Sequence, residues 1–121
     1  YKADFTMIFF KISHFHLFSE NYGHEWVSHL FREIAAAIQR IVGVRGIAGR
    51  LYTDHFMLVR QVESEDEVKE TIAGVEKEVE MIKEIDGVPC SIFLNHSYSL
   101  FSDMKDLQVM YEKTEKMLVK D

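Results

Sequence analysis

Two short polar segments carry the side chains able to do chemistry. One closes the apolar run 5–12 and reads Lys11-Ile12-Ser13-His14-Phe15-His16; the other, Tyr52-Thr53-Asp54-His55, separates two apolar runs. A carboxylate such as Asp54 is the hard oxygen donor that Mg²⁺-type cations require, whereas imidazoles join carboxylates around zinc. If the strand continued past Ile12, His14 and His16 would share a face, and with Asp54 and His55 they can be drawn as a zinc cluster. The competing reading needs no metal. Asp54 is then a turn residue paired with Lys11 or Arg50, and the histidines are ordinary surface or half-buried residues. Cys90 is the only cysteine, so an intrachain disulfide and a cysteine-rich zinc site are both excluded, and it reads as a small buried strand residue.

The elements that position these groups follow from the apolar periodicity. Residues 5–12 form an aromatic-rich run too short for an ordinary helix, which predicts a buried strand. From Glu25 the period changes: Val27, Leu30, Phe31, Ile34, Ile38, Ile41 and Val42 share one helical face, and Gly43 supplies a C-cap. His24, just after Gly23, reads as fixing the turn into that helix, and Trp26 on its first turn as a core or edge-packing residue before a partner contact. Residues 44–51 and 56–59 read as two strands of a hairpin around the polar 52–55 segment. Ser64-Glu65-Asp66-Glu67 matches a capping box, in which hydroxyl and carboxylate each satisfy a free backbone N–H. Val68, Ile72, Val75, Val79 and Ile82 follow as a narrow stripe on a charged helix. Gly87 and Pro89 break it, Ser91-Ile92-Phe93-Leu94 with its flanks predicts another strand, and Ser102-Asp103 opens a last helix bearing Leu107, Met110, Tyr111, Thr114, Met117 and Leu118. This order predicts an α/β fold of the α+β kind, an antiparallel-containing sheet with helices against it.

With 121 residues, 47% of them hydrophobic, the chain has the size of one domain with one substantial core, predicted to span 1–121. No run approaches the roughly 18–20 apolar residues of a membrane span. Fourteen Lys+Arg against 20 Asp+Glu give a formal net charge of −6. That charge opposes non-specific attraction to nucleic-acid phosphates and to anionic membranes, so neither is an expected partner. The single cysteine points to a reducing, cytoplasmic setting. The first residue is Tyr1 and the first apolar run begins almost at once, so the sequence reads as a segment of a longer multidomain protein that stops inside its last helix.

The segment K-I-S-H-F-H-L-F-S-E-N-Y-G-H from Lys11 to His24, followed by Arg50 and the hairpin L-Y-T-D-H-F, resembles the GGDEF domain family, the diguanylate cyclases. Members look like D-x-D-x-F-K-x-I-N-D-x-x-G-H in the first segment and R-Y-G-G-D/E-E-F in the second. Phe15, Phe18, Gly23 and His24 keep the first register without a gap; Arg50, Asp54 and Phe56 keep the second. Val88-Pro89-Cys90-Ser91-Ile92 and the tail from Tyr111 to Leu118 are similar to later family segments, so the likeness spans nearly the whole chain. It implies a ferredoxin- or palm-like nucleotide-cyclase fold with a central, mostly antiparallel sheet.

The resemblance also implies a chemistry, joining two GTP molecules into cyclic di-GMP, which rests on positioning and on divalent cations held by carboxylates. The family's first metal-binding Asp corresponds to Lys11 and its second Asp to Ser13, while Asp54 keeps the hairpin carboxylate. Tyr52 and Thr53 replace the two signature glycines, whose lack of a Cβ admits positive φ and close phosphate approach. His55 replaces the signature Glu. The guanine-reading Asn and Asp correspond to Ser19 and Ser28, and the inhibitory R-x-x-D positions to Gly43 and Gly46, with Arg45 out of register. These departures imply no catalytic residue and no resident cofactor, Mg²⁺ entering only if the site is active after all. They imply a regulatory or dimerisation domain related to cyclic di-GMP signalling in bacteria, partnered by neighbouring sensor or output domains or by a second copy. The alternatives are a non-catalytic receptor for GTP or another nucleotide, and a cyclase with unorthodox ligands.

Overall fold

The computed structural model describes residues 4–102 and 107–118. Strand β1 (Asp4–Ile12) leads into helix α1 (Phe15–Tyr22) and the long helix α2 (His24–Val42), which ends in a 3₁₀ turn at Gly43–Arg45. Strands β2 (Gly46–Tyr52) and β3 (His55–Val62) form the hairpin, followed by α3 (Glu65–Glu80), the small pair β4 (Glu84–Ile85) and β5 (Val88–Pro89), strand β6 (Leu94–Phe101) and α4 (Leu107–Met117). The main sheet has the order β2-β3-β1-β6, and each neighbouring pair is antiparallel.

A strand buried on both faces must be apolar almost throughout, and β1 lies in the sheet interior with a helical layer on each side. Ile8, Phe10 and Ile12 point into the larger core with Phe56, Leu58, Leu30, Ile34, Ile38 and Val75; Met7 and Phe9 point the other way, against Val59, Phe101 and Leu118. The first core is roofed by α2 and α3, and the second by α4 through Met110 and Tyr111. The α4 stripe is only partly inward: Thr114 and Leu118 are buried, whereas Leu107 and Met117 are exposed. Helix α3 starts as its sequence requires. Ser64 Oγ accepts from the Glu67 N–H, and the Glu67 carboxylate accepts from the Glu63 N–H one residue before the cap.

Four expectations are corrected. The backbone does not continue as a strand past Ile12; His14 takes a left-handed conformation (φ 55°) and residues 15–22 form α1. That helix buries no residue fully, so its apolar side chains leave no clean stripe in the sequence. The strand read around Ser91–Leu94 begins only at Leu94 and runs through the polar stretch to Phe101. Ser97 and Ser99 are buried in it because their hydroxyls bond Thr114 of α4, a tertiary contact that replaces the apolar signal. Cys90 is half-buried and follows β5 rather than lying within a strand. Gly87 does not terminate α3, which stops at Glu80; Asp86 (φ 51°) and Gly87 (φ 79°) instead turn the β4–β5 hairpin, the positive-φ pair that an Asp-Gly turn favours. The expected helix start at Asp103 lies outside the described residues.

Candidate functional site

The β1–β3 register pairs Lys11 with His55, which brings the end of the first polar segment against the hairpin turn. The Ile12 N–H donates to the Asp54 carbonyl at 3.2 Å, fixing the turn over β1. Lys11 Nζ then lies 3.6 Å from Asp54 Oδ2, and His55 Nδ1 lies 3.2 Å from Asp54 Oδ1. All three residues are less than a tenth exposed. A buried ammonium and carboxylate each carry a large desolvation cost that mutual attraction offsets only at close range, so each holds the other in place. The result is one carboxylate between a lysine and a histidine.

The hairpin reaches this arrangement through unusual backbone. The β2–β3 register shifts between Arg50 and Tyr52, which marks an irregularity at Leu51, and Thr53 has φ 38°. A β-branched residue at positive φ is a genuine outlier, because its Cβ crowds the neighbouring carbonyl. The turn therefore keeps the conformation a glycine would favour, with a threonine in it. Arg50 Nη1 donates to the Thr53 carbonyl at 3.2 Å, and its guanidinium lies 4.7 Å over the Phe31 ring. Tyr52 closes β2; the expectation for its side chain lies outside what is described.

The other predicted positions disperse. His14 and His16 are exposed, while Asp54 and His55 are buried. Among the described residues no three His, Cys, Asp or Glu side chains converge as a metal site would require. Ser13 is half-buried and lines a cavity of about 260 Å³ with Phe93. Ser19 is exposed on α1, where its hydroxyl donates to the His16 carbonyl at 3.2 Å. Ser28 lies on α2 and lines a different cavity, of about 390 Å³, between that helix and Arg50. His24 is the first residue of α2, is exposed and lines that cavity. Trp26 is buried, stacks on Phe18 and donates its indole N–H to the Ile85 carbonyl at 3.0 Å.

Gly43 and Gly46 have local reasons to be glycine. Gly43 caps α2 at φ 58°. At Gly46 an added Cβ would meet the Val59 carbonyl oxygen at 2.1 Å, so no side chain fits without moving β3. The shifted Arg45 is bound to Glu67 at 2.9 Å. Glu67 also bonds the buried Arg60 at 2.6 Å, and Arg60 donates to Thr71 at 2.8 Å. Burial, then the charge of Arg45, lowers the Arg60 pKa from its ordinary value, and Glu67 opposes the shift. Sequence reasoning missed this network and the Phe31–Arg50 contact; Phe31 fell in the apolar stripe of α2, which concealed that it bridges helix and hairpin.

Residues 1–120 match the family model described as diguanylate cyclase, GGDEF domain. Among solved structures, the chain is similar to the active GGEEF domain of a diguanylate cyclase from Vibrio cholerae, with 16% identity and a TM-score of 0.82 over 95% of this chain and 74% of that one. The coiled coil and GGDEF domain of DgcB from Caulobacter crescentus, solved in complex with c-di-GMP, gives 18% identity and 0.82 over 94% and 62%. The FimX GGDEF domain from Pseudomonas aeruginosa gives 12% and 0.80 over 95% and 74%. No curated protein matches the chain significantly.

Proposed function

Because the chain belongs to the GGDEF domain family of diguanylate cyclases, we propose that it is a member without cyclase activity, which acts as a regulatory or dimerisation domain within a larger bacterial protein of cyclic di-GMP signalling. The observation that carries this reading is the buried ion pair of Lys11 and Asp54. A divalent cation needs several hard oxygen donors, and the carboxylate that remains is already neutralised by an ammonium at 3.6 Å, with His55 on its other oxygen. These residues do not fit a Mg²⁺ ion. Thr53 supports the same reading, since its Cβ stands in the turn where close approach of a phosphate needs bare backbone.

The proposed partners are sensor or output domains of the same chain, or a second copy. The proposed compartment is the cytoplasm; among the described residues no helix is long and apolar enough to cross a membrane. Purified protein incubated with GTP and Mg²⁺ or Mn²⁺ tests the proposal: no cyclic di-GMP should form, and turnover above a catalytically dead control would refute it. A second reading, a receptor that holds a ligand without turning it over, is favoured by the cavity beside Ser28. Calorimetry with GTP in the absence of metal tests its nucleotide form, and no heat at millimolar nucleotide would remove that form.

A further inference from the structure

We propose that the cavity between α2 and the β2–β3 hairpin binds a small aromatic oxyanion, a carboxylate or phosphomonoester, through Arg32 and Arg50. The inference rests on the receptor reading above and narrows its ligand. The cavity measures about 390 Å³, within the usual range for a small-molecule site, and is lined by His24, Ser28, Phe31, Arg32, Ala35 and Arg50 among others.

Its charge is the notable feature. In a chain of formal charge −6, this cavity presents two guanidiniums and an imidazole, and no carboxylate lines it. Neither Arg32 nor Arg50 has an ion pair among the described residues, whereas Arg40, Arg45 and Arg60 each have a carboxylate partner. Clustered cations of like sign repel, and an anion placed between them relieves that repulsion while accepting charge-assisted hydrogen bonds.

The polar groups are also placed in advance. His24, Ser28 and Arg32 recur at four-residue steps on α2, so they line up along one helical stripe. Arg50 enters from β2 and is held by the Phe31 ring and by its bond to the Thr53 carbonyl. A guanidinium fork fixed in this way presents paired N–H groups that match the two oxygens of a carboxylate or phosphate. Phe31 and Ala35 supply the apolar wall for an organic body, and the Ser28 hydroxyl can donate to one further oxygen or accept from a ligand group. Guanine is a poorer fit, because the lining offers cationic donors and no carboxylate to accept its N–H groups.

The test is an amide-NMR titration of the whole chain, without metal, using phenyl phosphate, benzoate, inorganic phosphate, benzamide and GTP as probes. Phenyl phosphate or benzoate should bind in the millimolar range or tighter and shift the amides of residues 24–35 and 50. The two arms distinguish phosphomonoester from carboxylate. Inorganic phosphate, which lacks the ring, and benzamide, which lacks the charge, should each bind about tenfold more weakly or not at all, the loss expected for one missing set of contacts. Arg32→Gln should weaken the aryl anion about tenfold, and so should Arg50→Gln. Arg32 is exposed and makes no ion pair among the described residues, so Arg32→Gln keeps the test valid if Arg50→Gln misfolds. The proposal fails if neither aryl anion binds, if benzamide binds as well as benzoate, or if Arg32→Gln leaves affinity unchanged. GTP binding with no aryl-anion binding would also overturn it while preserving the nucleotide-receptor reading.

Discussion

Replacing Thr53 with glycine should stabilise this protein, an unusual direction for a mutation that deletes a side chain. Thr53 is exposed and sits at φ 38°, so its removal sacrifices little burial and relieves a conformation that costs a residue with a Cβ about 1–2 kcal/mol. Against that gain, glycine adds about 0.4–1 kcal/mol of conformational freedom to the unfolded chain. At the midpoints of these ranges the net is a stabilisation of about 0.8 kcal/mol, or a rise in Tm of about 2–6 °C for a domain of this size. The bond from Arg50 survives, because its acceptor is the Thr53 backbone carbonyl. Thermal and urea unfolding followed by circular dichroism give the answer. Thr53→Asn, whose side chain tolerates the left-handed region, should fall between threonine and glycine. A lowered or unchanged midpoint for Thr53→Gly would refute the claim that the turn holds strain at this position. On the proposed reading the glycine variant should make no cyclic di-GMP either, since Lys11 continues to neutralise Asp54.

Gly46→Ala should have the opposite effect, because the new methyl meets the Val59 carbonyl at 2.1 Å; a loss of about 1–3 kcal/mol in urea unfolding is expected. Trp26→Phe keeps the stacking but leaves the Ile85 carbonyl without its donor, which should cost about 1–3 kcal/mol by the same measurement. The Tyr98 phenol donates to Glu65, and this bond, more than burial, raises its pKa above the ordinary tyrosine value. The neutral phenol is thus favoured in the folded state. The stability it contributes is present in full below the unfolded tyrosine pKa and is lost as pH rises through the higher folded value. An ultraviolet titration should show one late-ionising tyrosine that moves down in pH on Glu65→Gln.

Much of the fold could be read from the chain because its elements carry strong periodic or capping signals. Residues 5–12 are apolar apart from Thr6 and Lys11 since β1 is covered on both faces, α2 has a clean stripe, and Ser64 with Glu67 satisfies the two backbone N–H groups at the start of α3. Where tertiary contacts replace apolar burial the reading slipped. In β6 two of the three buried side chains are serines satisfied by Thr114, and in α1 no residue is fully buried, so neither pattern identifies its element. At the site, the residues alone leave Lys11 and Arg50 as alternative partners of Asp54, and it is the family resemblance that sets Lys11 opposite Asp54. The positive φ of Thr53 was visible only as a glycine position in the family pattern, and the cationic cavity was hidden because its residues come from a helical stripe and a separate strand.

On the proposed reading the Lys11 ammonium takes the charge-neutralising role beside Asp54 that a divalent cation would otherwise fill. Titration of the isotope-labelled protein with Mn²⁺, read by paramagnetic broadening of its amide signals, tests this directly. The amides of Ile12, Asp54 and His55 should remain sharp at Mn²⁺ concentrations that saturate a carboxylate-pair site. Selective broadening of those three signals at micromolar Mn²⁺ would contradict it and return the site to metal chemistry.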